Sequence, residues 1–408
     1  MYFSRTFPNS KPSQRIAVKL NVKGERSVLQ NHPWVFSNSI VKLNKSPETG
    51  DLAIIFGKNK NKIIGFGLFD LSSPIRIKML HHGDAISIDD TFFAEKITIA
   101  FNKRKPLLLT ETNSYRLIFG ENDGFPGLIA DVYADVLVVK LYSEIWLNHL
   151  QTILESLIKV SRSETVVLRL SRGLQQRKTH DLKDGEVVYG MLENEVVIFE
   201  EHGVNFSANV IQGHKTGYFL DHRLNRKQVG AWSRDKTVLD VFSYAGGFSV
   251  HALANHAKEV TSLDISKQAL QMAIANGKLN DYSGSHKIIA GDAFKELKRL
   301  IEKEKTFDVV VIDPPSFAKQ QSDIDLAKKK YAQLAQLGLQ LTTKKGLLVL
   351  ASCSSRILAQ TFFDINAQVL RESQRQHTCI LKTQHDTDHP IGFPEGAYLK
   401  CGYYRLED

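Results

Sequence analysis

The sequence predicts an α/β protein of three parts: a small N-terminal β-barrel, a central α+β domain, and a C-terminal domain on a parallel sheet covered by helices on both faces. Three observations point there. At 408 residues the chain exceeds what one hydrophobic core usually holds. Its first 80 residues break into short strands punctuated by glycine, and beyond about residue 235 apolar strands alternate with amphipathic helices.

From Ile16 to Leu80 the stretches IAVKLNV, AIIFG, IIGFGLFD and PIRIKML are separated or interrupted by Gly24, Gly50, Gly57 and Gly65, the texture of a small barrel. Apolar positions three and four apart predict a helix within 86–110. YRLIFGENDGFPGLIADVYADVLVVKLYS and TVVLRLSRG read as strands with tight turns around a long helix, IWLNHLQTILESLIKV. Five strand-helix repeats follow, beginning with TVLDVFS, EVTSLDIS, HKIIAGD, FDVVVIDPP and GLLVLASCSS. TCILKTQHD and AYLKCGYYRL lack an intervening helix and fit an antiparallel pair at one edge, so the sheet is mixed and seven-stranded. The expected boundaries are 1–82, 83–200 and 201–408.

A composition of 42% hydrophobic and 24% charged residues is that of an ordinary folded chain rather than a low-complexity one. No apolar run approaches the roughly 18 residues that cross a bilayer, and no signal-peptide core is present, so no membrane association and a cytoplasmic location are expected. The opening MYFSRTFPNSKPSQR reads as a disordered basic tail rather than a transit peptide. Three cysteines, Cys353, Cys379 and Cys401, are too few for a disulfide framework, and without a CxxC pair no metal site is expected. Residues 1–80 carry thirteen Lys and Arg against four Asp and Glu, or 13 − 4 = +9, the whole formal excess of the chain. A cationic module beside a neutral body suits either a polyanion-binding accessory domain or a merely solvated surface.

In parallel sheets ligands bind outside the carboxyl ends of the strands. Four such ends carry a carboxylate: Asp240, Asp264, Asp292 and Asp313. After the first, Gly246 and Gly247 let backbone approach a ligand before the next helix begins. A nicotinamide dinucleotide needs a GxGxxG spacing that SYAGGFS lacks, whereas S-adenosylmethionine has no phosphate to cradle and suits the looser turn. The candidate cofactor residues are Asp240 with Phe242, Ser243, Tyr244, Ala245, Gly246 and Gly247, then Asp264 with Ile265, Asp292 with Ala293, and Asp313 with Pro314. The prolines of VIDPPSFAK end the strand and project Asp313, for which the structural alternative is a helix N-cap. Phe317 suits either base stacking or core packing.

Over nearly its whole length the chain resembles the PUA-domain family of S-adenosylmethionine-dependent 23S ribosomal RNA methyltransferases, and within it the cytosine-5 branch. The stretches that carry the resemblance are NHPWVFSNSI, ENDGFPGLIADVY, EEHGVNFSANVIQGHKTGYFLDHRLNR, VFSYAGGFSVHA, VIDPPSFAK, ASCSS and DHPIGFPEGAYLK, in the family's order. The resemblance implies a PUA-like RNA-binding barrel and a Rossmann-like class I methyltransferase domain. The cofactor implied is S-adenosyl-L-methionine, and the substrate is 23S rRNA or a large-subunit precursor. It further implies that GHKTGYFLDHRLNR forms a lid over the cofactor, with Lys215, Tyr218, Asp221 and Arg223 as candidates; a surface pair between Asp221 and Arg223 is the structural alternative. Exposed edge strands also allow a homodimer.

Cys353, at the tip of the fifth strand, has a chemical reason to be there. Carbon 5 of cytosine attacks a methyl sulfonium only after a thiolate has added to carbon 6. Asp313 is then suited to hold the ring nitrogen 3 and amine edge, and the hydroxyls of Ser352 and Ser354 to stabilise the thiolate. The alternative is a buried cysteine acting as a small hydrophobe, the role expected for Cys379 and Cys401. Many RNA cytosine-5 enzymes carry a second cysteine where Ser316 follows Pro315 here. The family resembled shares the one-cysteine pattern, and the base that removes the carbon 5 proton stays unnamed. Two rivals remain: an enzyme methylating a ring or exocyclic nitrogen without the cysteine, and a non-catalytic RNA-binding or ribosome-assembly factor.

Overall fold

The computed structural model describes residues 2–7, 13–58, 62–177 and 179–407. The chain divides into two compact units, one of Met1–Glu200, Ser207–Leu220 and Thr387–Phe393, the other of Glu201–Phe206, Asp221–Asp386 and Pro394–Asp408.

The first unit begins with β1 (Arg15–Leu20), helix α1 (Val22–Leu29), β2 (Trp34–Phe36), β3 (Ile40–Leu43), β4 (Leu52–Phe56), β5 (Ile63–Phe69) and β6 (Ile75–His82). The sheet order is β2-β6-β5-β4-β1-β3. Its two end strands are joined by one short turn at Ser37–Ser39, so the sheet curls on itself around Ile16, Val18, Val35, Ile55, Phe69 and Ile77. The sequence pattern does not reveal α1, β2 or β3, because Gly24 reads as a turn. It sits instead inside α1, where a Cβ would come within 2.7 Å of the Ser39 Cβ. Asn21 caps that helix by accepting from the Gly24 N–H at 2.9 Å.

Then follow α2 (Asp90–Arg104), β7 (Ser114–Phe119), β8 (Leu128–Tyr133), β9 (Val136–Leu141), α3 (Leu150–Ser161), β10 (Thr165–Leu170), α4 (Arg172–Gln175) and β11 (Glu186–Tyr189), with sheet order β11-β10-β9-β8-β7. One apolar core runs from Leu52, Leu68 and Leu80 through Ile97, Val139, Leu141 and Leu154 to Val188, so it crosses the expected boundary at residue 82. The N-terminal residues also belong to this unit. The Ser4 N–H donates to the Val188 carbonyl at 2.9 Å, Phe7 is buried, and Arg5 pairs with Asp181 and Glu186. The expectation of a disordered tail is therefore corrected for residues 2–7, while its residues 8–12 lie outside the described residues.

A hairpin of β12 (Val196–Glu201) and β13 (Val204–Asn209) comes next, and the division between the units falls within it. The second unit is built on α5 (Arg223–Ala231), β14 (Thr237–Val241), α6 (Gly247–Ala254), β15 (Glu259–Asp264), α7 (Lys267–Gly277), β16 (Ser285–Ala290), α8 (Ala293–Glu302), β17 (Phe307–Ile312), α9 (Ile324–Leu341), β18 (Thr342–Ser352), α10 (Ala359–Glu372), β19 (His377–Thr383) and β20 (Lys400–Leu406). The seven-stranded sheet has the order β16-β15-β14-β17-β18-β20-β19, with β20 antiparallel to both neighbours and the other pairs parallel. Strands β17 and β18 are buried on both faces, which is why they read as unbroken aliphatic runs. Among the described residues no helix is long and apolar enough to cross a membrane. Cys401 is fully buried as expected, but Cys379 is exposed on β19, which corrects its reading as a packing residue.

Two segments that the sequence assigns to the C-terminal domain, 207–220 and 387–393, belong to the first unit. The second of these joins the buried Arg104. That guanidinium donates to both Asp123 carboxylate oxygens, at 3.0 and 2.5 Å, and to the carbonyls of Ala100, Arg116 and Asp388. The Asp388 carboxylate in turn accepts from the Arg116 N–H at 2.9 Å. ENDGFPG and DHPIG are thus two halves of one buried polar junction. Arg104→Ala leaves the Asp123 carboxylate buried and unpaired, and urea denaturation is expected to show a loss of about 3–5 kcal/mol.

Candidate active site

Parallel pairing aligns the strand ends. Asp240 pairs with Ser262 on one side and Val311 on the other, and Ile312 pairs with Leu350, so Asp264 at the last position of β15, Asp313 just after β17 and Cys353 just after β18 stand along one edge of the sheet. The loop after β14 is strained: Phe242 (φ 64°), Tyr244 (φ 48°) and Gly246 (φ 78°) are all left-handed. Its partners hold it there. The Tyr244 N–H donates to Asp264 Oδ2 at 2.9 Å, Ser243 N–H to the Leu263 carbonyl at 3.1 Å, and the Asn276 amide to the Ala245 carbonyl at 2.9 Å. Gly246 has a second requirement, since a Cβ would lie 2.7 Å from the Ala273 Cβ of α7. Gly247 opens α6.

Asp264 also accepts from the Ser266 N–H at 2.8 Å, beside the exposed Ile265. Asp292 is the N-cap of α8, accepting from the Lys295 N–H at 3.0 Å, and Ala293 behind it is buried. The capping role considered for Asp313 therefore falls to Asp292. Asp313 instead lies with Oδ2 3.3 Å from Nε2 of the buried His222. Asp221 accepts from the Tyr398 hydroxyl at 2.8 Å, and Arg223 is fully buried 3.2 Å from Asp386, so the two do not form a surface pair. Lys215 and Tyr218 lie in the first unit, where Lys215 is exposed and Tyr218 is buried with its N–H donating to the Tyr133 hydroxyl at 3.1 Å. Phe317 packs edge-on against Tyr331 at 5.3 Å between ring centroids, which favours its packing reading.

Cys353 is half-buried, and its Sγ donates to the Pro314 carbonyl at 3.8 Å. Ser352 Oγ donates to the Tyr331 hydroxyl at 2.9 Å, which commits it away from the thiol, whereas Ser354 Oγ is buried without a hydrogen-bond partner among the described residues. Sequence reasoning does not find His222, Asn225, Tyr331 or Lys400. His222 Nδ1 lies 3.0 Å from the Asn225 amide nitrogen, while Asn225 Oδ1 accepts from Thr383 and Tyr403. That orientation makes Nδ1 an acceptor and puts the ring proton on Nε2, the atom nearest Asp313. LDHRLNR contains the pair, but only the fold brings them to Asp313.

Among the described residues, Asp240 Oδ1, Ser243 Oγ, Asp313 Oδ1, the facing His222 Nε2 and Ser354 Oγ are buried around these strand ends without a hydrogen-bond partner. A ligand bearing cationic and hydroxyl groups satisfies such atoms, so the residues present fit S-adenosylmethionine. Burial, with smaller contributions from Asp313 and Asp264, raises the Asp240 pKa to about 7. Burial alone pushes His222 down, but the facing Asp313 outweighs it and leaves it raised. Between pH about 4 and about 7 the native state holds a proton on Asp240 that the unfolded chain releases, so this group makes the ligand-free protein less stable as pH rises through that window. Binding of the cationic cofactor favours the ionised form. Calorimetric titration is expected to show affinity falling below pH 7 by up to about tenfold per unit, a dependence absent in Asp240→Asn.

Residues 115–380 match the model of an S-adenosylmethionine-dependent methyltransferase family, and residues 18–82 that of a PUA-like domain. A ribosomal RNA large subunit methyltransferase of Deinococcus radiodurans is 38% identical over 400 residues, covering 96% of this chain and 98% of that protein. The ribosomal RNA large subunit methyltransferase I of Aeromonas salmonicida is 36% identical over 391 residues, covering 93% and 96%. In fold, the chain resembles a methyltransferase crystallised with S-adenosylhomocysteine, with a TM-score of 0.79 at 21% identity over 96% of this chain and 100% of that one. On the strength of the domain match and the near full-length relatives, the chain belongs to the S-adenosylmethionine-dependent methyltransferase family that includes these bacterial large-subunit ribosomal RNA methyltransferases.

Proposed function

We propose that this protein methylates carbon 5 of a cytosine in 23S ribosomal RNA, free or in a large-subunit precursor, through a covalent adduct on Cys353. The observation that carries the reading is the Cys353 thiol at the tip of β18, 3.8 Å from the Pro314 carbonyl and next to the Asp313 strand end. A nucleophile and an acid-bearing edge for a flat base are thus adjacent. The relatives named above act, by their names, on large-subunit ribosomal RNA. The barrel supports an RNA partner as well, since Arg15, Lys19, Lys23, Arg26, Lys42, Lys45, Lys58 and Lys62 are exposed.

Bound S-adenosylmethionine supplies an electrophilic methyl group. The Cys353 thiolate adds to carbon 6, forming a C–S bond and moving electron density to carbon 5. Asp313 holds the nitrogen 3 and amine edge and supplies a proton to nitrogen 3 as charge develops there, and His222 stands behind it with Nε2 3.3 Å from Oδ2. Carbon 5 then takes the methyl group as the sulfonium leaves as a neutral thioether; loss of the carbon 5 proton to water and return of the nitrogen 3 proton to Asp313 restore the ring double bond and expel the thiolate.

The test uses wild type and Cys353→Ala with S-adenosylmethionine and unmodified 23S rRNA, with the digested nucleosides identified by mass spectrometry. Wild type is expected to yield 5-methylcytidine, and a folded, cofactor-binding Cys353→Ala to lose at least about 1,000-fold in rate. An N-methylated nucleoside, or full activity in the variant, overturns the reading.

A further inference from the structure

Lys400 is a buried cation that the mechanism above does not use. It is the first residue of β20 and pairs in register with Ser352, the residue before Cys353. Its side chain is 1% exposed. The ammonium donates to the carbonyls of Ser354, of Ile357 at 2.6 Å, and of Tyr398 at 3.0 Å. Two of those carbonyls belong to the loop that follows Cys353, so one side chain ties both ends of that loop to β20. Its three donors are thereby used, and all three acceptors are neutral. Among the described residues no carboxylate pairs with it. A buried ammonium solvated only by dipoles is costly unless an anion shares its field.

We propose that the Lys400 ammonium is the counter-charge of the Cys353 thiolate and the clamp of the loop that carries it, a positioning residue for the reaction. This rests on the reading of Cys353 as nucleophile. The surrounding groups make the need specific. Asp313, a carboxylate at the end of β17, opposes a second negative charge on Cys353. Tyr331 on α9 is kept neutral, burial pushing it up to about 12. Arg356 on the following loop is turned away, its Nε donating to the Lys319 carbonyl at 3.1 Å. Lys400, tied to the carbonyls of Ser354 and Ile357 just after Cys353, is a cation whose field reaches that thiol. Burial lowers it to about 8, and the one influence that raises it is Cys353. The ammonium transfers no proton in the reaction; it lowers the energy of the thiolate both before attack and as leaving group.

The test is the pH dependence of iodoacetamide alkylation at Cys353, read by peptide mass spectrometry in a Cys379→Ser background. Lys400→Met is expected to raise the midpoint by about one pH unit or more, and Lys400→Arg by less. The methylation rate of Lys400→Met should recover toward wild type as pH rises, which lost packing alone would not produce. A folded Lys400→Met with an unmoved midpoint overturns the proposal. Should that variant fail to fold, the reciprocal measurement decides: lysine-selective NMR of Cys353→Ser is expected to show Lys400 titrating at lower pH, and an unchanged titration overturns it. If Cys353→Ala still methylates RNA while the alkylation midpoint shifts as expected, the nucleophile reading fails and the charge pairing stands.

Discussion

The parallel hydrogen-bond register of β15, β14, β17 and β18 is the constraint on which the rest of the site depends. Once Asp240 is level with Ser262 and Val311, and Ile312 with Leu350, the strands end together, and the groups just beyond them share one rim. A slip of one residue between β14 and β17, or between β17 and β18, would turn Asp313 or Cys353 to the opposite face of the sheet. The antiparallel insertion of β20 beside β18 serves the same rim, because it sets Lys400 opposite Ser352.

Charge is handled in two ways in this unit. Beneath the rim, Glu201 is fully buried but held by Arg226 at 2.7 and 2.6 Å and by His251 at 2.9 Å. Burial alone would raise its pKa, yet these partners hold the carboxyl well below the usual carboxylate range. At the rim, Asp240 is equally buried but receives only the N–H and hydroxyl of Ser249, at 3.0 and 2.7 Å, and is raised instead. A compensated charge makes framework; an uncompensated one is poised for a charged ligand. The left-handed Phe242 and Tyr244 fit the same division, since strain of about 1–3 kcal/mol each persists only where surrounding hydrogen bonds fix the backbone.

The five strand-helix repeats and the antiparallel edge pair were legible because periodicity changes between strand and helix, and doubly buried strands read as unbroken apolar runs. The carboxylates and Cys353 were legible because each follows such a run. Helix α1 was not, because Gly24 has the same letter in a turn as in a close helix-to-loop contact. Nor was the N-terminal tail, whose Phe3 and Phe7 are too sparse to form a pattern but pack edge-on against each other at 5.3 Å.

Local sequence suffices for the succession of elements and for the chemical groups that stand at the strand ends, since both are properties of neighbouring residues. Which distant groups meet is settled by the folded chain alone. Folding returns 387–393 to Arg104 and Arg116, turns His222 toward Asp313, separates Asp292 as a helix cap from the acids at the rim, and buries Lys400 beside the Cys353 loop. Apart from the cap, these are contacts between residues tens to hundreds of positions apart, whose meeting follows from strand order and burial and has no local signature in the chain.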